Sequence, residues 1–340
     1  MKKVFLIIIV SSILLSSCEF LISDYSMRKS DIVPEIPAQK VITFASYFSG
    51  EGLEVSLSQP MDLILPLPKK IGVTRITLYK TGSVLCLDTT VNFESGRHFF
   101  NINSFNAVPD SGDTIKIKID AAGFDEVRGT TIIPFPASVS TINSTKITST
   151  EDFYRFTISF NDQSILKDFY LVSSVYYLTE YIFPMPGYGN RYDTLYSETR
   201  KSVPLSDPVF NFMPDYRTSI KEPFSSSDLK PRVFSDKAFN GSDYSLKIEV
   251  PVRKDADALV PNKNYSSEYE VELYTISRDL FEFITSSFTN EIIEDDIYAQ
   301  PIVVYSNMSN KAGFFGAISK PARARQAIEP DDLLKFDLNN

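Results

Sequence analysis

The chain has no tryptophan, one histidine and two cysteines in 340 residues, and its only long apolar run stands at its start. Each shortage removes a class of function. A lone His98 cannot build a histidine-based zinc site, and its place in His98-Phe99-Phe100 fits a strand residue better than the base of a serine triad. The lack of tryptophan disfavours a broad sugar-stacking platform. No G-x-S-x-G, phosphate-cradling glycine loop, dinucleotide fingerprint or calcium-loop spacing occurs, so cofactor and metal are both expected to be none. Lys and Arg total 34 against 43 Asp and Glu, a net charge of −9. That balance argues against nucleic acid and against a basic patch on anionic lipid.

The start of the chain is informative. Lys2 and Lys3 precede an apolar run from Val4 to Leu15, followed by Ser16, Ser17 and Cys18. A charged segment, a short apolar core and small residues before a cut site describe a secretory signal. Spanning a bilayer takes about 20 apolar residues, more than this run offers. Leu15-Ser16-Ser17-Cys18 fits the bacterial lipobox, which predicts cleavage before Cys18 and acylation of its thiol. Two or more acyl chains anchor durably, because each buried methylene contributes about 0.8 kcal/mol. Losing Lys2 and Lys3 takes the charge from −9 to −11. Glu19 and Asp24 close to the anchor favour display on the cell exterior.

With Cys18 acylated, Cys86 has no partner, so no internal disulfide is expected. In Val84-Leu85-Cys86-Leu87 the thiol reads as a small buried hydrophobe.

Beyond a tether at 18–39, kept extended by Pro34 and Pro37, the pattern is that of strands. Ile115, Ile117 and Ile119 alternate with Lys116 and Lys118, the period of a half-buried antiparallel strand. Similar short runs at 41–48, 53–58, 73–79, 84–88, 98–102 and 130–133 are separated by Gly-rich turns. They predict an all-β unit over 40–136, an immunoglobulin-like or prealbumin-like sandwich. A second β-rich domain is expected over 137–320. There Tyr154, Phe156, Ile158 and Phe160 alternate, 169–183 reads as one long strand, and Tyr269, Val271 and Leu273 face away from Glu268, Glu270 and Glu272. Leu280, Phe281, Ile284 and Phe288 follow helical spacing behind Ser277 as N-cap, predicting one helix from Arg278 to Ile292 on the second sheet. The last segment, 321–340, reads as a polar tail.

Binding is a better candidate than catalysis. Between Pro184 and Asp236 the period breaks down into long loops, and these hold Tyr188, Tyr192, Tyr196, Phe210, Phe212 and Tyr216. Aromatic residues supply contact area at low entropic cost, which suits ligand-binding loops. The plain alternative is that they pack their own loops onto a sheet. Glu291, Glu294, Asp295 and Asp296 cluster after the helix and read as a solvated helix end, although a surface hydrolase working through carboxylates alone remains an alternative to a binding or adhesion role.

Two motifs carry a family resemblance. Val233-Phe234-Ser235-Asp236-Lys237-Ala238-Phe239-Asn240-Gly241 precedes a strand, and Gln300-Pro301-Ile302-Val303-Val304-Tyr305-Ser306-Asn307 leads to Gly313-Phe314-Phe315-Gly316-Ala317. This order resembles the Bacteroidota lipoproteins grouped as domain of unknown function 4249. Lys237 stands where an acidic residue is usual, and Lys311-Ala312 interrupts the glycine-rich ending. The resemblance transfers no catalytic residue. It implies a surface lipoprotein of the outer membrane that partners a TonB-dependent receptor in capturing an unknown small nutrient.

Overall fold

The computed structural model describes residues 41–59, 71–93, 96–148, 153–162, 167–182, 193–200, 207–212, 233–251, 263–294 and 303–327. Seven strands come first: β1 (Ile42–Phe48), β2 (Gly52–Ser58), β3 (Val73–Lys80), β4 (Val84–Asn92), β5 (Arg97–Asn101), β6 (Thr114–Ala121) and β7 (Val127–Ile132). Then come β8 (Ser138–Ile147), β9 (Phe153–Asn161), β10 (Phe169–Ile182), β11 (Asp193–Arg200), β12 (Val233–Ser235), β13 (Asp243–Pro251) and β14 (Lys263–Thr275). The helix α1 (Arg278–Glu294) is followed by β15 (Gly313–Ile318) and β16 (Ala322–Ala327). The fold is all-β: four open sheets and, among the described residues, one α-helix.

The first two sheets run β4-β3-β6-β7 and β15-β1-β2-β5. They share one buried cluster, to which the first gives Ile76, Leu78, Ile115, Ile117 and Ile119 and the second Tyr47, Leu53, Val55 and Phe315. The alternation read from the sequence is the cause, since each inward side chain on β6 is flanked by Lys116 and Lys118 on the opposite face. Burying a Leu, Ile or Phe side chain contributes about 1.5–3 kcal/mol, so this cluster stabilises without any disulfide.

The other sheets run β13-β9-β8 and β11-β10-β14-β16, with β12 alongside β10. Tyr154, Phe156, Ile158 and Phe160 of β9 meet Tyr170, Val172, Tyr269, Val271 and Leu273 in a second cluster. The long strand expected at 169–183 is β10, and the expected helix forms. Ser277 caps α1 by accepting the Leu280 N–H at its Oγ and the Phe281 N–H at its carbonyl.

Three features depart from the sequence expectations. First, β15 comes from the end of the chain, yet it pairs in parallel with β1, Thr43 opposite Gly313. Gly313 permits this approach: its φ is +93°, and a Cβ there would lie 1.8 Å from the Thr43 carbonyl oxygen. Second, α1 does not rest on the second pair of sheets alone. Leu280 is buried with Phe314 and Ile318 of β15 as well as with Phe169 and Val233, so the helix fills the joint between the two pairs. Third, Ala322–Ala327, inside the expected polar tail, pairs as β16 with β14. Ala322 and Ala324 face the core while Arg323 and Arg325 meet Glu268, Glu270 and Glu272, so charge pairing replaces the apolar signal that the sequence lacks.

Candidate functional site

Of the residues singled out for function, Cys18, Tyr188, Tyr192 and Tyr216 lie outside the described residues. Tyr196 stands on β11 opposite Thr179 of β10. Phe212 ends a short 3-10 turn, Pro208–Phe212, and Phe210 of the same turn is buried edge-on against Phe234, ring centres 5.3 Å apart. The Phe210 ring therefore fills core space.

What holds that turn is a residue the sequence did not flag. Buried Asp207 accepts hydrogen bonds from the Val209 N–H (3.0 Å), the Lys247 N–H (2.9 Å) and the Tyr244 hydroxyl. Burial, then the bond to Asp207, pushes the Tyr244 hydroxyl well above the usual tyrosine range.

A second group of carboxylates gathers where β9, β10, β12 and β13 end. Asp162 accepts from the Tyr170 hydroxyl and from the Gly241 N–H, each at 2.8 Å. Asp236 accepts the Asp168 N–H at 2.8 Å, and its own N–H donates to the Asp168 carbonyl. Its other oxygen, Oδ1, is buried with no hydrogen-bond partner among the described residues. Burial, followed by the charges of Asp162 and Asp236, pushes the Asp168 carboxyl up to about 6. Burial also raises Asp236. Such a carboxyl can take and release a proton near neutral pH. Among the described residues, no three His, Cys, Asp or Glu side chains are grouped to hold a metal ion.

The Tyr305-Ser306-Asn307 motif has a clear architectural role. The Tyr305 hydroxyl donates to Asp279 Oδ1 at 2.6 Å, and the Thr131 hydroxyl donates to Asp279 Oδ2 at 2.8 Å, tying α1 to β7. Burial, then this bond, pushes the Tyr305 hydroxyl up to about 12. Asn307 behaves like a short piece of strand: its Oδ1 accepts the Phe315 N–H and its Nδ2 donates to the Phe315 and Thr130 carbonyls, at 2.8–2.9 Å. Met308 enters the first core beside Gly129, where a Cβ would sit 2.6 Å from its sulfur. Asn310 Nδ2 reaches the Val41 carbonyl at 2.7 Å. Gly316 admits α1, since a Cβ there would lie 2.8 Å from the Leu280 Cβ.

The remaining reactive candidates are plain. Cys86 is fully buried in the first core, where burial raises its thiol. His98 is exposed on β5 with its ring 4.5 Å from that of Phe100. No described helix is long and apolar enough to cross a membrane.

Asp236 and Asn307 lie inside the two sequence motifs, where the sequence alone assigns neither a role. Asp162, Asp168 and Asp207 lie in no motif, and each also has a partner far along the chain: Gly241, Asp236 and Lys247. Comparison with curated proteins finds none that matches. The family described as domain of unknown function (DUF4249) matches residues 30–323, which contain both motifs, and the chain belongs to that family.

Proposed function

We propose that the protein is a lipid-anchored component of the outer membrane, facing the cell exterior, and a non-catalytic accessory of a TonB-dependent nutrient receptor. The observation that carries the proposal is Leu15-Ser16-Ser17-Cys18 placed ahead of a folded chain. Acylation of Cys18 confines two β-rich units, read as sandwiches with the first immunoglobulin-like, to a membrane surface. A non-catalytic role is supported by how the second motif is used: Tyr305, Asn307, Gly313 and Gly316 hold the units together. The experiment is metabolic labelling with palmitate. Wild type takes up label, and Cys18→Ser loses it and leaves the membrane fraction; an unlabelled wild type refutes the anchor. Purification in detergent then tests the partnership, and the absence of a TonB-dependent receptor from the tagged sample removes it.

A second reading, a surface hydrolase working through carboxylates, is favoured by one observation, the raised Asp168 beside Asp236. Screening purified protein against peptides and glycans decides it, with Asp168→Asn expected to abolish any turnover found.

A further inference from the structure

β16 is the outer strand of its sheet, and it reaches the core with methyl groups alone. Ala322 and Ala324 pack against the second cluster, to which β9 and β14 bring Phe156, Phe160, Val271 and Leu273. A single methyl buries little area, so the apolar part of this attachment is small. On its far side, the Ser144 hydroxyl of β8 donates to Gln326. The connection from β15 is Ser319, Lys320 and Pro321. Ser319 is fixed to β14, since its N–H donates to the Thr275 carbonyl and its Oγ accepts the Thr275 N–H. β15 is therefore clamped independently of the strand that follows it.

Charge supplies most of the remaining hold. Register puts Arg323 opposite Glu272 and Arg325 opposite Glu270, and each guanidinium spans two carboxylates. Arg323 lies 2.8 Å from Glu272 and 3.7 Å from Glu270, and Arg325 lies 3.2 Å from Glu270 and 3.4 Å from Glu268. The Glu270 and Glu272 side chains are only 2% and 7% exposed, whereas those of Arg323 and Arg325 are 49% and 60% exposed. Acids placed so deeply need cations beside them, and Arg323 and Arg325 bring theirs on one short strand. Main-chain pairing is indifferent to side chains, but these contacts are not. Glutamates at every second position of β14 match arginines at every second position of β16, with small residues turned inward between them.

We propose that the edge of β14 is a binding site for an extended polypeptide with arginine at alternate positions, and that Ala322–Ala327 is its resident occupant, exchangeable for a partner segment of the same pattern. The partner's main chain would pair with Glu268–Leu273, and its arginines would take the places of Arg323 and Arg325 among the three glutamates. The site goes beyond the accessory role proposed above and depends on neither the anchor nor the receptor.

The test follows amide exchange by mass spectrometry in the full lipidated chain in detergent. Raising NaCl from about 0.1 M to about 1 M shortens the screening length from about 10 Å to about 3 Å. The β14-facing amides of Ala322–Ala327 then exchange about fivefold faster, while those of Thr114–Ala121 on β6 keep their rate. In the full chain carrying Arg323→Glu and Arg325→Glu, the last strand exchanges fast at the lower salt and uncovers the edge amides of Glu268–Leu273. A synthetic peptide copying Pro321–Ile328 slows those amides about fivefold, and a copy with glutamate for both arginines does not. Should that variant lose protection on β6 as well, Arg325→Ala, which keeps Arg323 on Glu272, takes its place. Exchange of β16 that ignores salt, or that quickens only together with β6, overturns the proposal. An opened edge that the peptide leaves unprotected, or that the glutamate copy protects equally, overturns it too. None of these outcomes alters palmitate labelling at Cys18, so the binding edge and the anchor fail separately.

Discussion

Two carboxylates, half-buried Asp279 and buried Asp236, sit at junctions of this molecule and are treated in opposite ways. Asp279 has a donor on each oxygen, Tyr305 on one and Thr131 on the other. Among the described residues Asp236 has one donor, the Asp168 N–H, and an orphaned oxygen amid two further acids. A buried carboxylate with matched donors is a fastener, whereas one left short stores unfavourable energy. The joint around β15 and α1 should therefore be the stiff part, and the Asp162–Asp168–Asp236 turn the adjustable one.

The sharpest way to break the contrast is at Gly313. Gly313→Ala puts a methyl group within 1.8 Å of the Thr43 carbonyl at a φ of +93°. We expect a loss of about 4 kcal/mol or outright failure to fold, read by denaturant titration. Asn307→Ala comes next. It strips the Phe315 N–H of its partner and leaves two carbonyls bare, so about 3 kcal/mol should be lost, with faster amide exchange at Phe315. Tyr305→Phe removes one bond from Asp279 and should lower stability by about 1.5 kcal/mol without changing the fold; no loss at all would mean that Asp279 is no fastener.

The smallest effect has the opposite sign. Burial pushes the Asp168 carboxyl up to about 6 from an ordinary 3.8. A raised acid binds its proton more tightly when folded, so its favourable contribution is complete below about pH 3.8 and is lost as pH rises through 6. Asp168→Asn should stabilise by about 1 kcal/mol at pH 8 and by nothing at pH 4, a figure discounted for the partial exposure of the group. A variant equally or less stable at pH 8 would remove the strain assigned to this turn.

Legibility in the sequence followed the range of the interactions. β6 is readable because Ile115, Ile117 and Ile119 announce their face within seven residues of sequence, and α1 because Ser277 and the apolar spacing after it are local. β15 carries an apolar run, but nothing nearby says that it belongs beside β1, since that pairing closes over most of the chain. β16 was unreadable for a different reason: Ala-Arg-Ala-Arg-Gln-Ala has no apolar stripe, and its attachment depends on the glutamates of β14. At the candidate site the aromatic residues were visible as types. Nothing in their spacing told a core filler such as Phe210 from a strand residue such as Tyr196, because that distinction depends on which strands become neighbours.

The parallel contact between the two ends of the folded chain has a bearing on biogenesis. Asn310 and Val41, 269 positions apart, are bonded, and β15 lies between β1 and the helix. A nascent chain has no means of finishing its first unit until nearly all of it has emerged from the ribosome, since a contact this distant closes late. On the proposed export route, a chain built in this way would stay threadable during translocation and lock only after passage, and a copy truncated before its last strands would keep an uncovered sheet by which proteases can recognise it.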